Sequence, residues 1–251
     1  MREWKLPVIN AVTLAVVVIM NALSNLLPFN NQTVGEISDR LNVLFTPAGY
    51  VFSIWSLIYV LLAIWVVRQF VTQAGRESAE RVGFWFLISS VFNVSWLVLF
   101  HYELFTATMV VMTLLLLSLI IIYRRLDTLT GRKKIDLLPF SVYIGWISVA
   151  FIVNIGVVLR AQGIDGWIIS GELWTIVALV LGVVLALLFS TTFSDIVYPL
   201  VFIWAYIGIS VERFETYPLL AVTASFLAGV LALGVVLSSF QRSKQHRKTS
   251  G

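Results

Sequence analysis

Residues 105–123 read FTATMVVMTLLLLSLIIIY, nineteen positions without one charged side chain, and Arg124-Arg125 follow directly. A bilayer core about 30 Å thick is crossed by about 20 apolar residues in helix. Backbone groups in hydrocarbon must be satisfied internally, which leaves helices or a closed barrel. This run lacks the two-residue alternation of a strand, so it reads as a helix. Seven further apolar runs lie at about 6–27, 48–70, 82–100, 138–159, 167–189, 196–210 and 217–240. Pro7, Pro28, Pro47, Pro139, Pro199 and Pro218 all fall near the ends of these runs, as helix starts and stops require. The reading is an all-α integral membrane protein with eight spans, of which 196–210 is the shortest.

Composition agrees. Of 251 residues, 59% are hydrophobic and 12% charged, whereas a soluble domain carries about 25% charged residues. Cysteine is absent, which removes disulfides, thiolate metal sites and cysteine nucleophiles. Only His101 and His246 are present, so a multi-histidine metal centre is excluded. The formal charge of +4 reflects topology, and no nucleic-acid partner is expected. Counting Lys and Arg in alternate loops puts fourteen on one side, with the N-terminus and the tail, and three (Arg40, Arg160, Arg213) on the other. That asymmetry predicts cytoplasmic termini in a cell membrane, bacterial by expectation. A cleaved signal ending near Ala22-Leu23-Ser24 is disfavoured. The apolar stretch is too long, and Asn10, Asn21 and Asn25 share one helical face.

Between the first two runs, 29–46 reads as a long outer loop holding the triplet Asn31-Gln32-Thr33, a glycosylation acceptor on a eukaryotic secretory route. The basic stretch 241–251 reads as a disordered tail lying against anionic headgroups.

Polar and aromatic positions inside the runs require an explanation. Phe52, Trp55 and Tyr59 line one face of the second span; Ser89, Asn93, Trp96 and Phe100 line one face of the third. Pro139, Tyr143, Trp146, Ala150 and Asn154 do the same in the fifth. Such faces suit a protein-lined interior with a few polar anchors. Packing with interhelical hydrogen bonds is the competing reading. Trp4, Trp65, Trp85 and Trp167 read as interfacial belt residues, whereas Trp55, Trp96 and Trp146 lie too deep for that. Glu172, about five residues inside its run, is a candidate transport acid, with water access from the outer interface as the plainer alternative. Asp195 and Glu103 read as helix caps or solvated charges. Ala178, Gly182 and Ala186 form a small-residue packing seam. No catalytic motif and no metal-ligand cluster is present.

The stretch from Phe45 through Thr46, Pro47, Ala48, Gly49, Tyr50, Val51 and Phe52 to Trp55 and Tyr59 resembles the signature of the TspO/MBR family, the tryptophan-rich sensory proteins. Two more blocks agree in order and spacing: Phe92-Asn93 with Trp96 and Phe100, and Leu138-Pro139-Phe140 with Tyr143, Trp146, Ala150 and Asn154. The chain departs from the family pattern in two places. Pro47-Ala48 stands where two prolines are usual, and Val43-Leu44-Phe45 replaces a Trp-x-Pro.

Over residues 6–160 the resemblance implies a TspO-like five-helix bundle with a ligand cavity opening near the first loop. It also implies binding of porphyrins or other large apolar molecules, and pairing as a homodimer. Trp55 and Trp146 match the tryptophans tied in the family to porphyrin binding and breakdown. The organisation expected is therefore 1–160 as the TspO-like domain, 161–240 as three extra transmembrane helices and 241–251 as a cytoplasmic tail. The function expected is a membrane receptor or sensor. Its apolar ligand, porphyrin-like and not covalently held, would meet Trp55, Tyr59, Asn93, Trp96, Tyr143, Trp146 and Asn154. A small-solute or proton-coupled transporter using Glu172 is the alternative, and a porphyrin-degrading enzyme ranks below both.

Overall fold

The computed structural model describes residues 4–27, 29–129, 131, 134–164 and 170–249, with backbone alone over 241–249. Among the described residues there are ten α-helices and no strand. They are α1 (Lys5–Leu26), α2 (Val34–Leu41), α3 (Ile54–Val71), α4 (Gln73–Val82), α5 (Trp85–His101), α6 (Phe105–Asp127), α7 (Lys134–Ala161), α8 (Gly171–Phe193), α9 (Val197–Arg213) and α10 (Pro218–Thr249). Over its described residues, each apolar run is mostly helical. Six helices are long and apolar enough to cross a membrane, α3 being counted with the 3₁₀ turn Gly49–Ser53 before it. A seventh span results if α4 and α5, bent by 64° at their junction, are one broken crossing. Helices α5 and α9 have 17 residues each, about 25 Å of helix, a little short of the apolar core.

Two helices stand where the sequence reading placed loops. In the outer loop, Thr33 caps α2. Its hydroxyl accepts from the Glu36 amide at 3.2 Å, and the Glu36 carboxylate accepts from the Thr33 amide at 2.7 Å. This capping box satisfies two otherwise orphaned donors at once. Thr72 caps α4 by accepting from the Gly75 amide at 3.0 Å. Gly75, Ser78, Ala79 and Val82 form the buried face of α4, while Gln73, Glu77, Glu80 and Arg81 are exposed. The tail also differs from expectation, since α10 continues through Thr249.

The chain forms two compact units: Met1–Val43 with Ser53–Ile164, and Leu44–Phe52 with Asp165–Gly251. In the first, α7 is the central helix. All residues from Pro139 to Val149 are buried, so it is surrounded on every side. Trp65, Phe86 and Phe140 lock α3, α5 and α7 together edge-on, Trp65 lying 5.2 and 5.1 Å from the other two rings. The Trp65 indole donates to Ser78 at 2.8 Å and its ring is fully buried. The belt assignment therefore does not hold for Trp65, because α4 folds back over it. Trp4, 45% exposed and capped by Arg76 at 5.8 Å, and Trp85, faced by Arg125 at 5.8 Å, do lie at helix ends. Trp167 lies outside the described residues. Arg68 meets Asp136 at 3.4 Å where α3 ends and α7 begins.

In the second unit α9 packs against both α8 and α10. The Tyr206 hydroxyl donates to the Leu179 carbonyl at 2.6 Å. A side chain at Gly182 would collide with that hydroxyl and crowd Phe202, so the small-residue seam is where α9 approaches α8. Segment 44–52 is seated on α9. The Ala48 amide donates to Gly208 O at 3.2 Å, the Trp204 indole to Val51 O at 3.1 Å and the Arg213 guanidinium to Leu44 O at 3.2 Å. Gly208 permits this approach, since a Cβ there would strike Val51 and lie 3.1 Å from Pro47. Asp195 caps α9 by accepting from the Val197 and Tyr198 amides at 2.6 and 3.1 Å.

Candidate functional site

The sequence candidates lie on three helices of the first unit. Trp55 and Tyr59, one turn apart at the start of α3, stack with centroids 5.6 Å apart and planes at 23°. Across from them on α7, Tyr143 and Trp146 meet the Trp55 ring edge-on at 5.8 and 6.4 Å. Offset and edge-to-face contacts of this kind contribute about 0.5–1.5 kcal/mol each beyond burial. Tyr143 and Trp146 are buried, whereas Trp55 and Tyr59 are half-buried. One face of the cluster is thus built into the helical core and the other is partly open.

A line of amides leads into the cluster. Asn21 on α1 donates to Asn93 Oδ1 at 3.1 Å, and Asn93 Nδ2 donates to the Tyr143 hydroxyl at 3.0 Å. Asn93 is buried with its acceptor and one donor engaged, which fixes the height of α5 against α1 and α7. The Tyr59 hydroxyl oxygen is buried with no hydrogen-bond partner among the described residues.

The remaining two candidates belong to a separate group. The Trp96 indole donates to Asn154 Oδ1 at 3.3 Å, and the Thr108 hydroxyl of α6 lies 3.1 Å from the same oxygen. Trp96 also stacks on Phe100 at 4.9 Å. Eleven residues separate Tyr143 from Asn154 along α7, about 16 Å at 1.5 Å per residue. The seven candidates therefore form two neighbouring groups joined by α5 and α7.

Glu172 stands elsewhere. Helix α8 starts at Gly171, so Glu172 is in the first turn and half-buried, with Ser170 capping by accepting from the Leu173 amide at 3.2 Å. An acid there complements the positive end of the helix dipole. Its apparent depth of five residues came from counting the run from 167, of which 167–169 lie outside the described residues. Glu103 pairs with Arg40 at 2.6 Å.

Sequence reasoning set Asn21 on a polar face without placing it at the site, and passed over Thr108. The available signal for Asn21 was a side-chain amide inside an apolar span, which needs a partner from another helix. Chemically, the first group is indoles, phenols and amides, and the second an indole, a phenyl ring, an amide and a hydroxyl. They contain no carboxylate and no imidazole, and among the described residues no cluster of three His, Cys, Asp or Glu could hold a metal ion. Such side chains recognise flat apolar surface and offer a few hydrogen bonds.

Fold and site together define an all-helical integral membrane protein whose central helix presents aromatic rings and amides to its neighbours. A family model described as TSPO-like protein matches residues 7–237, and the chain belongs to that family. The match runs through α8 and α9 and most of α10, well past the 6–160 region that carried the resemblance. Membership carries the coarse class of a membrane protein of the sensor or receptor type. No curated protein and no solved structure matches the chain.

Proposed function

We propose that the protein is a membrane receptor or sensor for a large, flat, apolar ligand of porphyrin type, held against the aromatic cluster of α3 and α7. The observation that carries this reading is the state of Trp55. Its ring touches three other aromatic rings yet remains half-buried, so one surface is available for stacking. An indole face set against a planar macrocycle excludes water and gains dispersion across the whole contact. The Asn21–Asn93–Tyr143 line would hold the helices at a constant spacing around the ligand, and Trp96 with Asn154 would flank it. Both termini are proposed to face the cytoplasm, on the asymmetry of Lys and Arg between alternate loops.

The test is titration of the purified chain with protoporphyrin IX while tryptophan fluorescence is followed. Saturable quenching that is lost in the Trp55→Phe/Trp146→Phe double variant supports the proposal. Absence of quenching, or quenching of the same size in the double variant, overturns the tetrapyrrole assignment.

A further inference from the structure

We propose that Arg81 and Arg125 form a site for the phosphate of an anionic lipid headgroup, at the elbow between α4 and α5. The two arginines brace each other's main chain. Arg81 Nε donates to Arg125 O at 3.1 Å and its Nη2 to Thr128 Oγ1 at 2.9 Å, while Arg125 Nη1 reaches Arg81 O at 3.4 Å. Each of these long, exposed cationic side chains is thereby held at the other's main chain; Arg124, also exposed, makes no such side-chain bond. Fixing long side chains costs rotamer freedom, and neither guanidinium is bonded to an anion among the described residues. No salt bridge joins any of the three to an acid among the described residues. Of the acids on the two helices, Glu77 accepts from Gln73 at 2.9 Å, Glu80 is exposed and Asp127 half-buried. A phosphate would supply that anion to the N–H donors the main-chain and Thr128 bonds leave over, since guanidinium groups bind phosphate through paired N–H donors.

The surroundings select a lipid over a soluble phosphate. Trp85, with Arg125 5.8 Å above its ring, and Phe84, 58% exposed, stand at the 64° bend. Indole rings at a helix end mark the headgroup level of a bilayer. An exposed phenyl group beside them gives acyl chains an apolar surface. The site thus offers cations for a phosphodiester and rings for its tails within one elbow.

The intact chain in detergent would be titrated with phosphatidylglycerol, with phosphatidylcholine and with inorganic phosphate, bound lipid being read by native mass spectrometry. Phosphatidylglycerol is expected to bind more tightly than phosphatidylcholine. Arg81→Gln and Arg125→Gln should each weaken it about fivefold, the value of roughly one interfacial cation. Arg124→Gln, equal in net charge, should weaken it distinctly less. If the glutamine variants do not fold, Arg81→Lys/Arg125→Lys keeps both charges without the forked donors; a reduced preference for phosphatidylglycerol supports the site and an unchanged one overturns it. Equal binding of the two lipids, an equal loss in Arg124→Gln, or displacement of the lipid by millimolar phosphate also overturns it.

Discussion

Asn93 Nδ2 donates to the Tyr143 hydroxyl at 3.0 Å, a buried hydrogen bond between helices fifty residues apart in sequence. Because Asn93 Oδ1 simultaneously accepts from Asn21, a single amide ties α1, α5 and α7 together. In an apolar interior such a bond has no water to replace it.

Replacing that amide tests the arrangement. Asn93→Leu leaves the Asn21 N–H and the Tyr143 oxygen without partners, a loss of about 1–3 kcal/mol. The expected result is a lower unfolding midpoint in detergent. Adding Asn21→Leu should cost little more, because its partner is already gone. Full additivity of the two would show that the contact is absent.

Gly182 lies where Tyr206 and Phe202 of α9 press against α8. Gly182→Leu drives a side chain into the Tyr206 hydroxyl and Phe202, and is expected to destabilise by about 1–3 kcal/mol through overpacking. Thermal unfolding is the measurement. Gly182→Ala is expected to destabilise as well, and its cost should be smaller in a Tyr206→Phe background, where the obstructing oxygen is absent.

The acid side of α2 gives a pH prediction. The Thr33 amide first, and its hydroxyl second, hold the Glu36 carboxyl below its ordinary value, against a small opposing effect of burial. A carboxyl depressed in the folded state stabilises above its unfolded pKa, about 4.3, and that contribution disappears as pH falls through the lower folded value. Amide exchange over 34–41, normalised to intrinsic rates, should therefore accelerate as pH falls below this range. Thr33→Ala should raise exchange already at neutral pH and flatten the dependence.

At the junction of α3 and α7, Asp136→Asn removes the charge facing Arg68, whose side chain is 15% exposed. Breaking a largely buried pair costs about 3 kcal/mol, whereas replacing both partners by apolar residues costs far less. The midpoint of Arg68→Met/Asp136→Leu should lie above that of Asp136→Asn. The reverse order would mean that the pair contributes net stability.

The eight helical runs were legible because length and uninterrupted apolarity are local properties. Helix α2 has a local signal, since Thr33 and Glu36 have the spacing of a capping box, but a short polar stretch between two apolar runs suits an outer loop equally well. Trp65 illustrates a different limit. It lies near the end of an apolar run and therefore looked interfacial; only the return of α4 over α3, with Ser78 beneath it, makes it core. The 3.6-residue period sets the aromatics of α3, α5 and α7 on common helix faces. Their division into a Trp55 group and a Trp96 group does not follow from it, because spacing along one helix carries no information about the height of its neighbours.

From the residues alone came the membrane class, the helical segments and the assignment of Trp55, Tyr59, Asn93, Trp96, Tyr143, Trp146 and Asn154 to common helix faces. These follow from a 3.6-residue period and from the cost of unpaired backbone in hydrocarbon. Tertiary structure alone decided that α7 is enclosed on all sides, that Trp55 rests against Tyr143 and Trp146, and that segment 44–52 sits on α9. The physical reason is that in a chain this uniformly apolar, many helix pairings bury similar surface. Which one forms depends on a few distant hydrogen bonds and close approaches, among them Asn93 to Tyr143 and Gly208 against Pro47 and Val51.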